Sequence, residues 1–335
     1  MWRIAGARHS STNAPPGEGS APVAVNNASP ETAAGPPRSS LDAAGTMRVV
    51  ANLGASLAVR DARGDGPARQ VVPLRQLPLV VAGDLVRVAA DAAGVERAVA
   101  LLPRSTVLER PGEHGRERAL AANLDALVVV SAAPPGIDTL LIDQFCVGAH
   151  RAGLEAIVVV NKADLLDPQR RERAETMLGA YRSAGHRALA CSAAAPGGLD
   201  GLEAALEGRA VALVGASGTG KSSIVAALLP ELEVRVGELS AATGLGAHTT
   251  SVTAWYGRPG GGAIVDSPGV RRYAVETLAR EDVRAGFAEI RRLGETCRFN
   301  DCLHVVEPGC AVREALEAGT LSRFRYANYR RLAGV

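Results

Sequence analysis

Residues Val211 to Ser223 read VALVGASGTGKSS: a short apolar strand, then Gly215, four residues, and Gly220, Lys221 and Ser222 at the head of the apolar run IVAALL. That spacing is a phosphate-binding loop between a strand and a helix, and it restricts the fold more than any other stretch of the chain. Gly215, Gly218 and Gly220 let successive backbone N–H groups turn into one concavity that Ala216, Ser217 and Thr219 complete. Lys221 reaches the outer phosphates as a catalytic cation, the Ser222 hydroxyl faces a magnesium ion, and Ser223 follows in the first helical turn. The helix start adds its positive end. A nucleoside triphosphate with magnesium is the expected ligand.

Composition singles out the same lysine. Of the 37 Lys plus Arg residues only Lys162 and Lys221 are lysine. A compact ammonium gripping phosphate is the case in which arginine's planar fork is no substitute. Lys162 lies in Asn161-Lys162-Ala163-Asp164, which closes the apolar strand AIVVV. A carboxylate at Asp164 accepts from both N1–H and the exocyclic amine of guanine, a pattern that adenine lacks, so GTP and GDP are expected ligands. Asn161 and Lys162 brace the loop and pack along the base. Ser192 and Ala193, in Cys191-Ser192-Ala193 at the next strand end, finish the guanine pocket. Asp266 opens Asp266-Ser267-Pro268-Gly269 and holds magnesium through water, with Thr249 or Thr250 adding a hydroxyl.

These motifs follow segments that alternate strand and helix, which implies a parallel sheet covered on both faces with its ligand loops at the carboxyl ends of the strands. Their order is unusual. The guanine motifs precede the phosphate loop, whereas a conventional GTPase places them after it, so the domain is circularly permuted. Val270 stands where many GTPases carry a glutamine that orients the attacking water. His248, directly before the two threonines, is the nearest polar side chain for that role.

At 335 residues and 47% hydrophobic, the chain holds enough apolar residues for two or three domains. Residues 1–45, rich in Ala, Pro, Ser and Gly, read as a disordered tail. Residues 46–110 hold five β-like pieces and suggest an OB-fold barrel. The GTPase domain is expected over 111–274, and a zinc-binding, mainly helical domain over 275–335. The last carries Cys297, Cys302, His304 and Cys310, three thiolates and an imidazole that suit one structural zinc ion in a reducing compartment. Cys146 and Cys191 read as small packing residues. No apolar run reaches 18 residues and no signal-peptide core is seen, so a cytoplasmic protein without a membrane segment is expected. The net charge of +2 does not argue for RNA.

Together, AANLD (Ala121 to Asp125), NKADLL, GASGTGKSS, HTT, DSPG, the cysteine stretch from Cys297 to Val312 and the closing RYANYRRL resemble the ribosome small-subunit-dependent GTPase A family. That resemblance implies a barrel binding 16S rRNA, a permuted GTPase and a zinc domain touching the 30S ribosomal subunit. It also implies hydrolysis stimulated by the subunit and coupled to release, late in 30S maturation, by a chain expected to be a monomer. Ala247 replaces the family's usual Arg before HTT, and Val270 replaces a frequent Phe. Two alternatives remain open on the residues alone: a nucleotide-gated RNA-binding adaptor with negligible hydrolysis, and a P-loop ATPase or kinase, against which Asp164 speaks.

Overall fold

The computed structural model describes residues 45–63, 66–91, 93–111, 117–134, 136–231, 253–266 and 278–335. Five short strands come first: β1 (Thr46–Asn52), β2 (Leu57–Asp61), β3 (Arg69–Pro73), β4 (Leu85–Ala90) and β5 (Glu96–Leu101). They pair in the order β1-β2-β3-β5-β4, and β4 pairs back onto β1, which closes a barrel. Only β3 and β5 run parallel; the other pairs are antiparallel. Alternation along each strand turns Val49, Leu57, Val59, Val71, Val86 and Ala98 inward to a common core. This is the five-stranded closure of an OB-like barrel. A hairpin of β6 (Val107–Pro111) and β7 (Glu117–Ala122) runs across the domain boundary expected at 110–111.

The central sheet follows with β8 (Ala126–Ala132), β9 (Glu155–Asn161), β10 (Arg187–Ala190), β11 (Ala210–Val214), β12 (Ala254–Gly257) and β13 (Ala263–Asp266). Its order is β10-β9-β8-β11-β13-β12, parallel throughout except for β12. Period-two alternation divides the buried side chains between two cores. Leu127, Val129, Val158, Val160, Ala212 and Val214 face one; Ala126, Val128, Val130, Ile157, Val159, Val211 and Leu213 face the other. A fully buried Val or Leu contributes about 1.5–3 kcal/mol, so these strands supply a large share of the cohesion among the described residues.

Helices α1 (Thr139–Arg151) and α2 (Pro168–Ser183) cover the first face through Ile142, Phe145, Met177, Leu178 and Tyr181. Helices α3 (Asp200–Ala205) and α4 (Lys221–Leu228) cover the second through Leu202, Ile224, Val225 and Leu228. Asp138 and Asp167 cap α1 and α2 by accepting from Leu141 N and Arg170 N. The buried thiols of Cys146 and Cys191 lie in these two cores, and burial pushes Cys191 up to about 12, as expected of packing residues.

The C-terminal helices α5 (Arg280–Gly286), α6 (Ala288–Gly294), α7 (Ala311–Glu317) and α8 (Arg323–Ala333) share a core of Val283, Phe287, Ile290, Val312, Leu321 and Tyr329, joined by Val147 of α1. Gly286 lets α5 approach α1 closely: a Cβ there would lie 2.9 Å from the Val147 Cα. At the same contact Arg325, 1% exposed, is ion-paired with Asp143, 0% exposed. Its Nε also donates to Glu289 at 2.7 Å, and Asn328 donates to Asp143 at 2.7 Å and to Thr139 Oγ1 at 3.1 Å. Burial pushes the Asp143 carboxyl upward, and the Arg325 charge and Asn328 amide act against it. No helix among the described residues is long and apolar enough to cross a membrane.

Candidate functional site

From β8 the chain steps outward through β9 to β10, returns to the centre as β11, and reaches the other side as β13 and β12. The carboxyl ends of β8 and β11 therefore flank a topological switch point, where open α/β sheets bind ligands. The glycine loop leaves β11 there. Gly215 has φ +140°, and a Cβ on it would fall 2.0 Å from the Val130 carbonyl of β8, so only glycine lets the loop leave against its neighbour. Gly218 and Gly220 take φ +79° and +87°. Gly220 is the N-cap of α4, and no side chain caps that helix, so its first N–H groups point at the loop's concavity. Ala216, Ser217, Gly218, Ser222 and Ser223 are exposed, whereas Thr219 is buried and donates to the Ala216 carbonyl at 3.0 Å.

Both lysines of the chain converge on this loop. The Lys221 ammonium donates to the Gly215 and Ala216 carbonyls at 2.8 and 2.6 Å. The Lys162 ammonium reaches across from β9 to the Gly218 carbonyl at 2.7 Å. Lys162 holds a left-handed backbone, φ +62°, that throws its side chain back over the loop. Asn161, 2% exposed, donates to the Thr219 carbonyl at 3.0 Å and accepts from Ala193 N at 3.2 Å. One amide thus ties together the phosphate loop, the Asn161–Asp164 loop and the Ser192–Ala193 loop. Ala163 N donates to the Cys191 carbonyl at 3.0 Å, and the Ser192 hydroxyl donates to the Asp164 carboxylate. That bond fixes the carboxylate's rotation and leaves acceptor capacity on both oxygens for a paired donor edge such as that of guanine.

Asp266 ends β13, beside β11 in the register Ala212 to Val265, and so lies at the same edge of the sheet as the loop. His248, Thr249, Thr250, Ala247 and 267–270 lie outside the described residues, as do positions 1–44 of the expected tail. Sequence reasoning assigned no role to Asp125, whose carboxylate accepts from Ala210 N at 2.7 Å while its own N–H donates to the Ala210 carbonyl at 2.7 Å. This reciprocal pair aligns the start of the phosphate-loop strand on β8; the sequence marks Asp125 only as the end of AANLD, without its partner.

The second constellation lies between α6 and α7. The ligand atoms of Cys297, Cys302, His304 and Cys310 all lie within 4.8 Å of one another. Cys297 and Cys310 Sγ are 3.9 Å apart, and the His304 Nδ1 is 3.6 and 3.5 Å from them. A tetrahedral ion bonded at about 2.3 Å to sulfur and about 2.0 Å to nitrogen sets sulfurs about 3.8 Å apart and sulfur to nitrogen about 3.5 Å apart, so Cys297, Cys310 and His304 match such an ion, with the Cys302 thiol beside them as the fourth ligand atom. His304 takes φ +63°, uncommon for a non-glycine residue. The loop that imposes it is held by Glu307, whose carboxylate accepts from Leu303 N, Val305 N and Val306 N at 2.8–3.0 Å. The residue's own backbone N–H first, and then these three, pull the Glu307 carboxyl down to about 2.

A family model described as RsgA GTPase matches residues 101–276. A protein of Pseudomonas fluorescens named small ribosomal subunit biogenesis GTPase RsgA is 42% identical over 287 residues, which cover 85% of this chain and 84% of that one. Its namesake in Pseudomonas aeruginosa is 41% identical over 287 residues, covering 86% and 84%. Among solved structures, YjeQ from Thermotoga maritima superposes with a TM-score of 0.66 at 25% identity, over 86% of this chain and 96% of its own. YloQ, described as a circularly permuted GTPase, gives a TM-score of 0.67 at 24% identity over 86% and 93%, a likeness of fold.

Proposed function

The chain belongs to the RsgA GTPase family and is a GTPase, and from that premise we propose that it hydrolyses GTP in late maturation of the 30S ribosomal subunit. On this reading the barrel binds 16S rRNA, and subunit-stimulated hydrolysis releases the protein. The observation that carries it is the convergence of Asn161, Lys162, Asp164 and Ser192 with the Gly215–Ser222 loop at one switch point, in permuted chain order. The relatives' names, which specify small-subunit biogenesis, supply the partner.

Asp164 reads guanine, with Ser192 fixing its carboxylate. Lys221 moves from loop carbonyls onto phosphate, which needs only a short swing of a flexible stem. Ser222, Asp266 through water, and Thr249 or Thr250 would hold magnesium, which would supply charge neutralisation at the transferred phosphoryl group. His248 orients the attacking water. Cys297, Cys302, His304 and Cys310 hold one structural zinc. A division into 46–110, 111–274 and 275–335, with the β6–β7 hairpin bridging the first boundary, a cytoplasmic location and a monomer complete the proposal.

Turnover measured with purified 30S subunits, with 50S subunits and with neither tests it. Stimulation by 30S alone is expected, with turnover abolished in Lys221→Ala and Ser222→Ala. Nucleotide-dependent 30S binding without turnover would replace this reading with that of an adaptor.

A further inference from the structure

Strand β12 has two neighbours. On one side it pairs with β13, whose last residue is Asp266; on the other it meets the barrel, with Ala254 opposite Ala51 of β1. Barrel and nucleotide-binding sheet are thereby one continuous set of strands. The residue after Ala254 is Trp255, 6% exposed, and its ring fills the junction. The Arg48 guanidinium of β1 lies 4.5 Å from the ring centroid. The same guanidinium donates to the Gly83 carbonyl at 2.9 Å and the Ala62 carbonyl at 3.0 Å. Gly83 lies against the indole so closely that a Cβ there would be 2.9 Å from Cζ3 and 2.0 Å from the Ala122 carbonyl. Asn123 donates to the same Gly83 carbonyl at 2.9 Å. Trp255 Nε1 is buried without a hydrogen-bond partner among the described residues. The indole is thus held by stacking and shape, contacts that tolerate sliding better than a directional bond does.

We propose that Trp255 is a positioning residue coupling the barrel to the nucleotide site: the β12–β13 hairpin carries Asp266 at one end and the Arg48–Trp255–Gly83 stack beside the barrel. A ligand that shifts the barrel shifts Asp266 through this hairpin. Reciprocally, nucleotide state changes the barrel's affinity for its ligand by the same factor. The coupling rests on the proposed function in one respect, that the barrel's ligand belongs to the 30S subunit.

The full chain contains two tryptophans, Trp2 and Trp255. In a Trp2→Phe background, emission therefore reports Trp255 alone. Its spectrum should differ between saturating Mg-GDP and a magnesium-bound non-hydrolysable GTP analogue, and identical spectra would overturn the coupling. In Trp255→Leu and Arg48→Lys, 30S stimulation should fall about tenfold and the difference in 30S co-sedimentation between the GTP analogue and GDP should shrink, while affinity for a fluorescent GDP analogue in the absence of 30S stays within about twofold. Arg48→Lys keeps the charge and loses the planar stack, so it decides the matter should Trp255→Leu fail to fold. Full stimulation in Arg48→Lys would overturn the proposal. If the wild type itself is not stimulated by 30S, the proposed function fails and the emission spectra alone decide the coupling.

Discussion

The two flanking modules are fastened to the nucleotide-binding sheet in opposite ways. The barrel joins by backbone pairing along β1 and β12 and by a stacked indole, and the Arg48 charge at the junction donates to carbonyls. The C-terminal helices join through buried charge, with Arg325 set among Asp143, Glu289 and Asn328 and lying over the rings of Tyr181 and Phe287 at 5.0 and 4.3 Å. Backbone pairing is graded and survives most substitutions. A buried ion pair fails abruptly, because removing one partner strands the other in a low dielectric. The modules also grip different parts of the sheet: the barrel holds the hairpin that ends in Asp266, and the helices hold α1, which links the strands β8 and β9.

Metal removal should show the sharpest contrast. Structural zinc contributes on the order of 10 kcal/mol to small domains, so chelation should unfold the C-terminal helices while a fluorescent GDP analogue stays bound. Elemental analysis should find one zinc per chain, and nucleotide loss preceding helix loss would contradict the separation. Next in size, Arg325→Ala should cost about 3–5 kcal/mol by stranding Asp143, read by denaturant unfolding. Arg325→Met combined with Asp143→Leu and Glu289→Met, which leaves neither carboxylate stranded, should recover most of that. On the barrel side, Gly83→Ala meets both a φ of +91° and the Ala122 carbonyl. About 2 kcal/mol is expected there, with GDP affinity retained. The smallest effect concerns Glu307. Its carboxyl is held below the ordinary value, so its contribution is complete above the ordinary carboxylate range and is lost as pH falls towards 2. Glu307→Gln should lose about 1 kcal/mol or less near neutrality, given solvent screening, and the gap to wild type should narrow in acid melting curves.

Much of this was legible because the informative residues are contiguous. The phosphate loop, Asn161–Asp164, Ser192–Ala193 and the cysteine quartet each carry their spacing within 14 residues or fewer. The five barrel strands were also legible from their turns. Strand β12 was not: Ala254–Gly257 is four residues long, runs into Arg258 and Pro259, and has no alternation to count. Asp143 and Arg325 were equally silent, being 182 residues apart, since a charge looks the same in sequence whether it meets water or a buried partner. The scarcity of lysine pointed the right way for an incomplete reason. The sequence has Lys162 bracing its loop and packing along a base; what it does not show is the bond from its ammonium to the Gly218 carbonyl across the sheet.

The central position of β11 sets a timetable for synthesis. β8, β9 and β10 emerge from the ribosome first, and the fully buried β8 must wait for residues 210–214 to cover its open edge. That is about 80 residues later, or about 4–16 s at ordinary translation speeds. The first barrel strand waits longer still, about 200 residues, for its partner β12. Two unpaired edges are therefore exposed on every nascent chain, one of them wholly apolar, and both are templates for pairing with another copy. Permuting the order of the strands leaves the finished pocket intact and changes which edges wait for a partner during synthesis, and for how long.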